Sequence, residues 1–159
     1  MTDEEPRGYD EAHYSNEKSG VGYWVERYFF GGIELTVLST PAFVPVVLFQ
    51  FHYPDAVPLA GIAAIGAGSL ALALFRARAV DVGRWPRLGE FASVPLRAAY
   101  FSALFLAATF GVAAVATAAG SLGLAFLGGG VVQVVGLAAF PTVYRAVHGE
   151  PTRHPSQRV

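Results

Sequence analysis

Polar and apolar residues fall along this chain in long blocks, not interleaved at a helical period. Residues 98–144 form a run of 47 positions without Asp, Glu, Lys, Arg or His. As one helix that run would be about 70 Å long at 1.5 Å per residue, about twice what crosses 30 Å of hydrocarbon. Ala119-Gly120-Ser121 is the natural place for it to fold back, because glycine ends helices at little steric cost. The run therefore predicts two helices, 94–119 and 122–144, joined as a tight antiparallel hairpin. Upstream, 56–75 is free of charge, with Pro58 in its first turn, where a missing N–H is harmless. Before it, 29–51 carries a single acid, Glu34, and His52-Tyr53-Pro54-Asp55 makes the turn between these two spans. Helices buried in a soluble core would show polar faces at a 3.6-residue period, and these do not. The pattern predicts an all-α fold: an integral membrane four-helix bundle running up-down-up-down.

The flanks differ. Residues 1–28 form a polar, acidic segment that ends in an interfacial aromatic belt including Tyr23, Trp24 and Tyr28. Residues 29–144 form the four-span domain, and 145–159 form a tail containing Pro151 and Pro155. Residues 1–18 and the tail are expected to be loose ends. A basic start followed directly by an apolar core is missing, so the first span is expected to stay uncleaved.

Composition supports the membrane reading. Charged residues make up 14% of the 159 positions, against roughly 25% in an ordinary soluble domain. The formal net charge is -1 and there is no cysteine. Disulfides, thiolate metal sites and cysteine nucleophiles are thereby excluded, and a nucleic-acid partner is not expected. All 11 Lys and Arg lie before the first span, around the loop 76–97, or after the fourth span. Four spans place those three regions on one side. The positive-inside rule then puts both termini in the cytoplasm of a cell membrane. The outer loops are too short to build a binding domain. Ten of the 11 basic residues are arginine, and Ala, Gly and Val abound, which points to a GC-rich prokaryote.

An ionisable residue within a span is a functional candidate by default, and Glu34 is the one here. Two roles are open to it. A desolvated carboxylate can exchange protons near neutral pH. Alternatively it pairs with Arg97, which enters the third span at similar depth, or with Arg27 two turns below. Pro41 and Pro45 remove two backbone hydrogen bonds and predict a kink in the first span. Counting 1.5 Å per residue from the span ends places Thr40, Ser69, Ser102 and Gln133 at one mid-membrane level. Such a layer serves either as interhelical glue or as the lining of a transport path. Ala60-Ala64-Gly68, Ala103-Ala107-Gly111, Gly128–Gly130 and Gly136 read as close-packing faces or self-association surfaces. Arg76, Arg78, Arg84, Trp85 and Arg87 read as a basic loop facing anionic lipid or a cytoplasmic partner.

The four histidines have no metal spacing, no Ser/His/Asp set converges, and no cofactor or metal is expected. Four spans with an acid in the first resemble, in outline, the small multidrug transporters. The greater length, the two prolines in that helix and the one-sided arginines depart from that family, so its function is not carried over. The first expectation is a non-enzymatic accessory, structural or interaction subunit. It would partner the lipid bilayer, itself or another membrane protein. The second is a small proton- or cation-coupled transporter or channel using Glu34 and the polar layer.

Overall fold

The computed structural model of the protein describes residues 20–86 and 91–149. The expectations for 1–18, for Arg87 and for the tail beyond 149 lie outside the described residues. Helix α1 (Val21–Leu38) is followed by α2 (Thr40–Phe49), a 3-10 turn (Gln50–His52) and α3 (Ala56–Arg76). A second 3-10 turn (Phe91–Ser93) leads into α4 (Val94–Leu106), a π-helical turn (Ala107–Gly111), α5 (Val112–Ala118) and α6 (Leu122–His148). No strand occurs among the described residues. Three helices are long and apolar enough to cross a membrane: α3, the continuous run Phe91–Ala118, and α6. The α1–α2 pair passes the same test only as a unit, and its two halves are bent by 69° at Ser39.

The first helix begins at Val21, eight residues before the expected start of the span. Hydropathy reports the apolar thickness to be crossed, whereas the helix runs on through Tyr23, Trp24 and Glu26. The kink expected from Pro41 and Pro45 is a break, and it lies just ahead of both. Pro41 has no N–H to give the Val37 carbonyl, and its ring crowds that turn. The chain therefore restarts at Thr40 with Pro41 in the first turn of α2. At the break the Ala42 N–H bonds the Ser39 carbonyl at 2.9 Å, one residue short of the α-helical partner Leu38. The Leu38 carbonyl accepts instead from the Ser102 hydroxyl of α4 at 3.2 Å, and the Ser39 hydroxyl donates to the Phe101 carbonyl at 3.4 Å. The Ser102 hydroxyl thus meets a carbonyl at the break, and the Ser39 hydroxyl ties the break to α4.

The other helix ends follow local chemistry. Gly120 takes a φ of +63° in the turn between α5 and α6, and the Ser121 side chain accepts from the Leu124 N–H at the start of α6. Helix α3 ends with Ala79 N–H bonded to the Leu74 carbonyl and Arg78 N–H to the Phe75 carbonyl. This is the paired bonding of a Schellman cap. Its left-handed position is held by Arg78 (φ 56°) where glycine is the usual residue.

Helix α3 packs against both α1 and α6. At Gly129 of α6 an added Cβ would lie 2.4 Å from the Ala60 carbonyl oxygen, and at Gly31 of α1 it would lie 2.8 Å from the Ser69 carbonyl oxygen. Two of the small-residue faces read from sequence are therefore contact faces. Ala60, Ala64 and Gly68 are buried, as are Gly129 and Gly130. The third is not: Ala103, Ala107 and Gly111 point outward, and nothing lies within 4 Å of a Cβ built at Gly111. The buried side of the α4–α5 run carries Phe101, Phe105, Ala108, Thr109 and Ala113 instead. A run of small residues shows that close approach is possible but does not say which azimuth of the helix is used.

Candidate functional site

Of the two roles open to the acid in the first helix, the structure shows the paired one. Glu34 Oε1 accepts from Arg76 Nη2, at the end of α3, at 2.5 Å, and from Arg97 Nη2, on the first turn of α4. The Glu34 side chain is 8% exposed, that of Arg97 5% and that of Arg76 15%. Two charge-assisted contacts on one carboxylate offset the cost of taking all three charges out of water. Of the partners weighed for Glu34, Arg97 is present and Arg27 is not. Arg27 instead lies over the Tyr23 ring, 4.5 Å from its centroid. Arg76, which its position in the sequence assigns to the basic loop, is the partner that sequence reasoning misses. The signal was available: Arg76 closes a span at the same end of the molecule at which Glu34 lies near the start of one, and Gly31 and Gly32 let α1 approach α3.

Trp85 is also turned inward. The chain after α3 folds back so that the Trp85 ring stacks with Phe75 at 6.2 Å and packs against Phe140 at 5.2 Å and Phe101 at 6.5 Å. The Arg76 guanidinium lies 5.5 Å from the Trp85 ring centroid, a cation–π contact, and its Nη1 donates to the Pro86 carbonyl at 3.5 Å. An amphipathic indole next to apolar rings covers them, and this takes Trp85 out of the lipid-facing role expected of it. Arg78 and Arg84 remain exposed. Tyr144 of α6 is buried at the same end, its ring against Phe140 at 6.2 Å. One node thus draws on α1, α3, α4 and α6 and on the returning segment that bears Trp85.

The expected polar layer does not form. Thr40 is exposed and its hydroxyl donates to the Thr36 carbonyl of the preceding turn at 3.0 Å. Ser69 donates to the Ile65 carbonyl of its own helix at 2.7 Å. Only Ser102 crosses to another helix, at the Leu38 carbonyl. Gln133 is fully buried against Gly68 and Leu35, and neither atom of its amide has a hydrogen-bond partner. Counting depth gives height along a helix and not direction around it. A serine or threonine in an apolar span also meets its need most easily on the carbonyl one turn back. Pro41 is exposed in the first turn of α2, just after the break, and Pro45 lies inside α2. Among the described residues no group of three or more His, Asp or Glu is placed to hold a metal.

The chain matches the domain of unknown function DUF8215 over residues 18–147. It belongs to that family. The matched stretch contains Glu34, Arg76, Trp85, Arg97, Gln133 and Tyr144, so the whole node lies within the family's domain and none of it in the flanks. No curated protein and no solved structure matches the chain.

Proposed function

We propose that this chain is a small multi-pass protein of the cytoplasmic membrane, with four spans and both termini in the cytoplasm. It acts there as a non-enzymatic accessory, structural or interaction subunit. The α1–α2 pair supplies the first span as a broken helix. The bilayer reading is supported by an outer surface of large apolar side chains, among them Phe29, Val44, Leu48, Ile62, Leu127 and Val131, while Ser39, Ser69, Arg97, Thr109 and Gln133 are buried among the alanines of the interior. The reverse distribution would suit water. Orientation rests on the arginines gathered at one end.

The observation that carries the functional reading is the state of Glu34. A carboxylate that accepts from two arginines inside the protein is committed to holding helices together. A proton carrier has to be released and re-solvated in each cycle. The second reading, a proton- or cation-coupled transporter, is favoured by one feature alone: the unpartnered amide of Gln133 at mid-span. Flux measurements on proteoliposomes separate the two. The accessory reading expects no proton or cation flux above protein-free vesicles, and a Glu34→Gln variant that differs from the parent only in stability. Flux in the parent that is lost in Glu34→Gln overturns it.

A further inference from the structure

The geometry points to a binding site for the phosphate of an anionic lipid headgroup at the arginine end of the α1–α3 pair, built on Arg27 and Arg76. On α1, Arg27 lies one turn before Gly31; on α3, Arg76 lies one turn beyond Leu72. A Cβ at Gly31 would meet Ser69, Leu72 and Ala73, so these turns are in direct contact. The two helices run in opposite directions through that contact. The turn bearing Arg27 therefore faces the turn bearing Arg76. Behind them stands Arg97, joined to Arg76 through Glu34.

Charge then requires something more. Arg76 and Arg97 share Glu34, and Arg27 lies two turns before Glu34 on the same helix; counting Glu26, the next residue to Arg27 along α1, the described residues at this end still leave one positive charge in excess. The Arg27, Arg76 and Arg97 Nε atoms are all buried without a hydrogen-bond partner. The Arg27 guanidinium meets a tyrosine ring and no carboxylate among the described residues. Like charges held close in a medium of low dielectric repel strongly unless an anion joins them. A guanidinium fork matches a phosphate in two-point geometry, and a cation at the edge of a span sits at headgroup level. A phosphate between Arg27 and the solvent-facing edge of Arg76 completes the balance without displacing Glu34.

The proposal rests on the membrane reading, and the test keeps the two apart. The full chain is extracted in detergent, and its thermal midpoint is followed by tryptophan fluorescence in mixed micelles of phosphatidylglycerol or of phosphatidylcholine. A third arm adds inorganic phosphate to phosphatidylcholine at matched ionic strength. Phosphatidylglycerol is expected to raise the midpoint by about 5 °C over phosphatidylcholine, a shift in keeping with saturation of one site. Arg27→Gln is expected to lose at least half of that difference. Reading each variant as a difference between two lipids cancels any change in its basal stability. Arg145→Gln removes an exposed cation from α6 and is expected to keep the difference. A parent indifferent to the headgroup overturns the site. So does an Arg145→Gln loss equal to that of Arg27→Gln, which would mean diffuse surface charge. An equal rise with inorganic phosphate alone overturns the lipid as the source of the anion. A chain dispersed in buffer without amphiphile fails the membrane reading itself.

Discussion

The two ends of the molecule hold their helices together by different means. Around Gly120 the buried cluster is Ala56, Val57, Ala60, Ala113, Ala116 and Ala125, with Gly129 set directly on the Ala60 backbone. At the arginine end the cluster is Leu35, Leu72, Phe75, Phe101, Leu137, Phe140 and Tyr144, packed around the Glu34 node and capped by Trp85. In lipid, moving an apolar side chain between helices gains little from expulsion of water. Association must come from close van der Waals contact or from polar bonds. One end takes the first route by bringing backbones within reach of each other. The other brings α1 onto α3 at Gly31 but fills the remaining space with rings and ties its helices through three charges. The contrast is sharpest for a methyl group added at Gly129, which meets the Ala60 backbone, and for a charge removed at Glu34, which leaves two arginines facing each other.

The largest expected effect breaks the charged end. Glu34→Ala leaves two buried arginines facing each other without an anion and is expected to destabilise by about 3–5 kcal/mol. Unfolding in detergent, followed by Trp85 fluorescence in a Trp24→Phe background, measures it, because the Arg76 guanidinium lies over that ring. Adding Arg97→Met to Glu34→Ala is expected to recover part of the loss, since an apolar group of similar length removes the repulsion. A double variant weaker than the single would mean that the node is not held by its charges.

The opposite end is broken by a methyl group. Gly129→Ala places a Cβ 2.4 Å from the Ala60 carbonyl oxygen, well inside van der Waals contact, so α3 and α6 must move apart. Overpacking of this kind is expected to cost about 1–3 kcal/mol. Gly111→Ala, with open space around the new atom, is the matched control and is expected to be neutral or slightly stabilising. The same thermal assay compares them, and equal effects would mean that the α3–α6 contact is looser than its geometry.

The legible part of this architecture is what one-dimensional polarity controls. The starts of α3 and α6 and the turn at Gly120 follow from where charge stops and where glycine stands, because lipid excludes charge irrespective of neighbours. Pro41 announced a disturbance in the first span, but only the three-dimensional structure places the break at Ser39, since proline acts on the turn before it. The partner of Glu34 was half legible. Arg97 shares its depth, while Arg76 required knowing that α1 and α3 touch through Gly31. The polar layer failed for the related reason that depth along four helices leaves four rotations undetermined, and Thr40 and Ser69 turned back onto their own backbones.

A smaller effect returns to the arginine end and its cap. Arg78 holds a left-handed backbone position, which costs an L-residue roughly 1–2 kcal/mol relative to a conformation glycine takes freely. Arg78→Gly is therefore expected to stabilise by about 1 kcal/mol once the greater chain entropy of glycine is counted. Its side chain is exposed, so no packing is lost with it. A thermal midpoint that falls in Arg78→Gly would show that the exposed guanidinium has a partner stabilising enough to outweigh the backbone.

The smallest effect lies between the two ends, where the first span breaks. Ser102→Ala withdraws the hydroxyl that meets the Leu38 carbonyl, leaving an acceptor that the α2 backbone does not reach. Interhelical bonds of this kind in membrane proteins average about 0.6 kcal/mol and reach about 1.7. The Leu38 carbonyl has lost its usual donor to the proline-induced break, so a measurable loss near the average figure is expected. Ser102→Thr keeps the donor and should stay close to the parent. The readout that isolates the hinge is amide hydrogen exchange at Ala42, whose N–H already bonds one residue short of its helical partner. Faster exchange in Ser102→Ala but not in Ser102→Thr would show that the α4 hydroxyl holds the 69° bend. Equal exchange in both would assign the bend to Pro41 and Pro45 alone, with α4 merely filling the angle they leave.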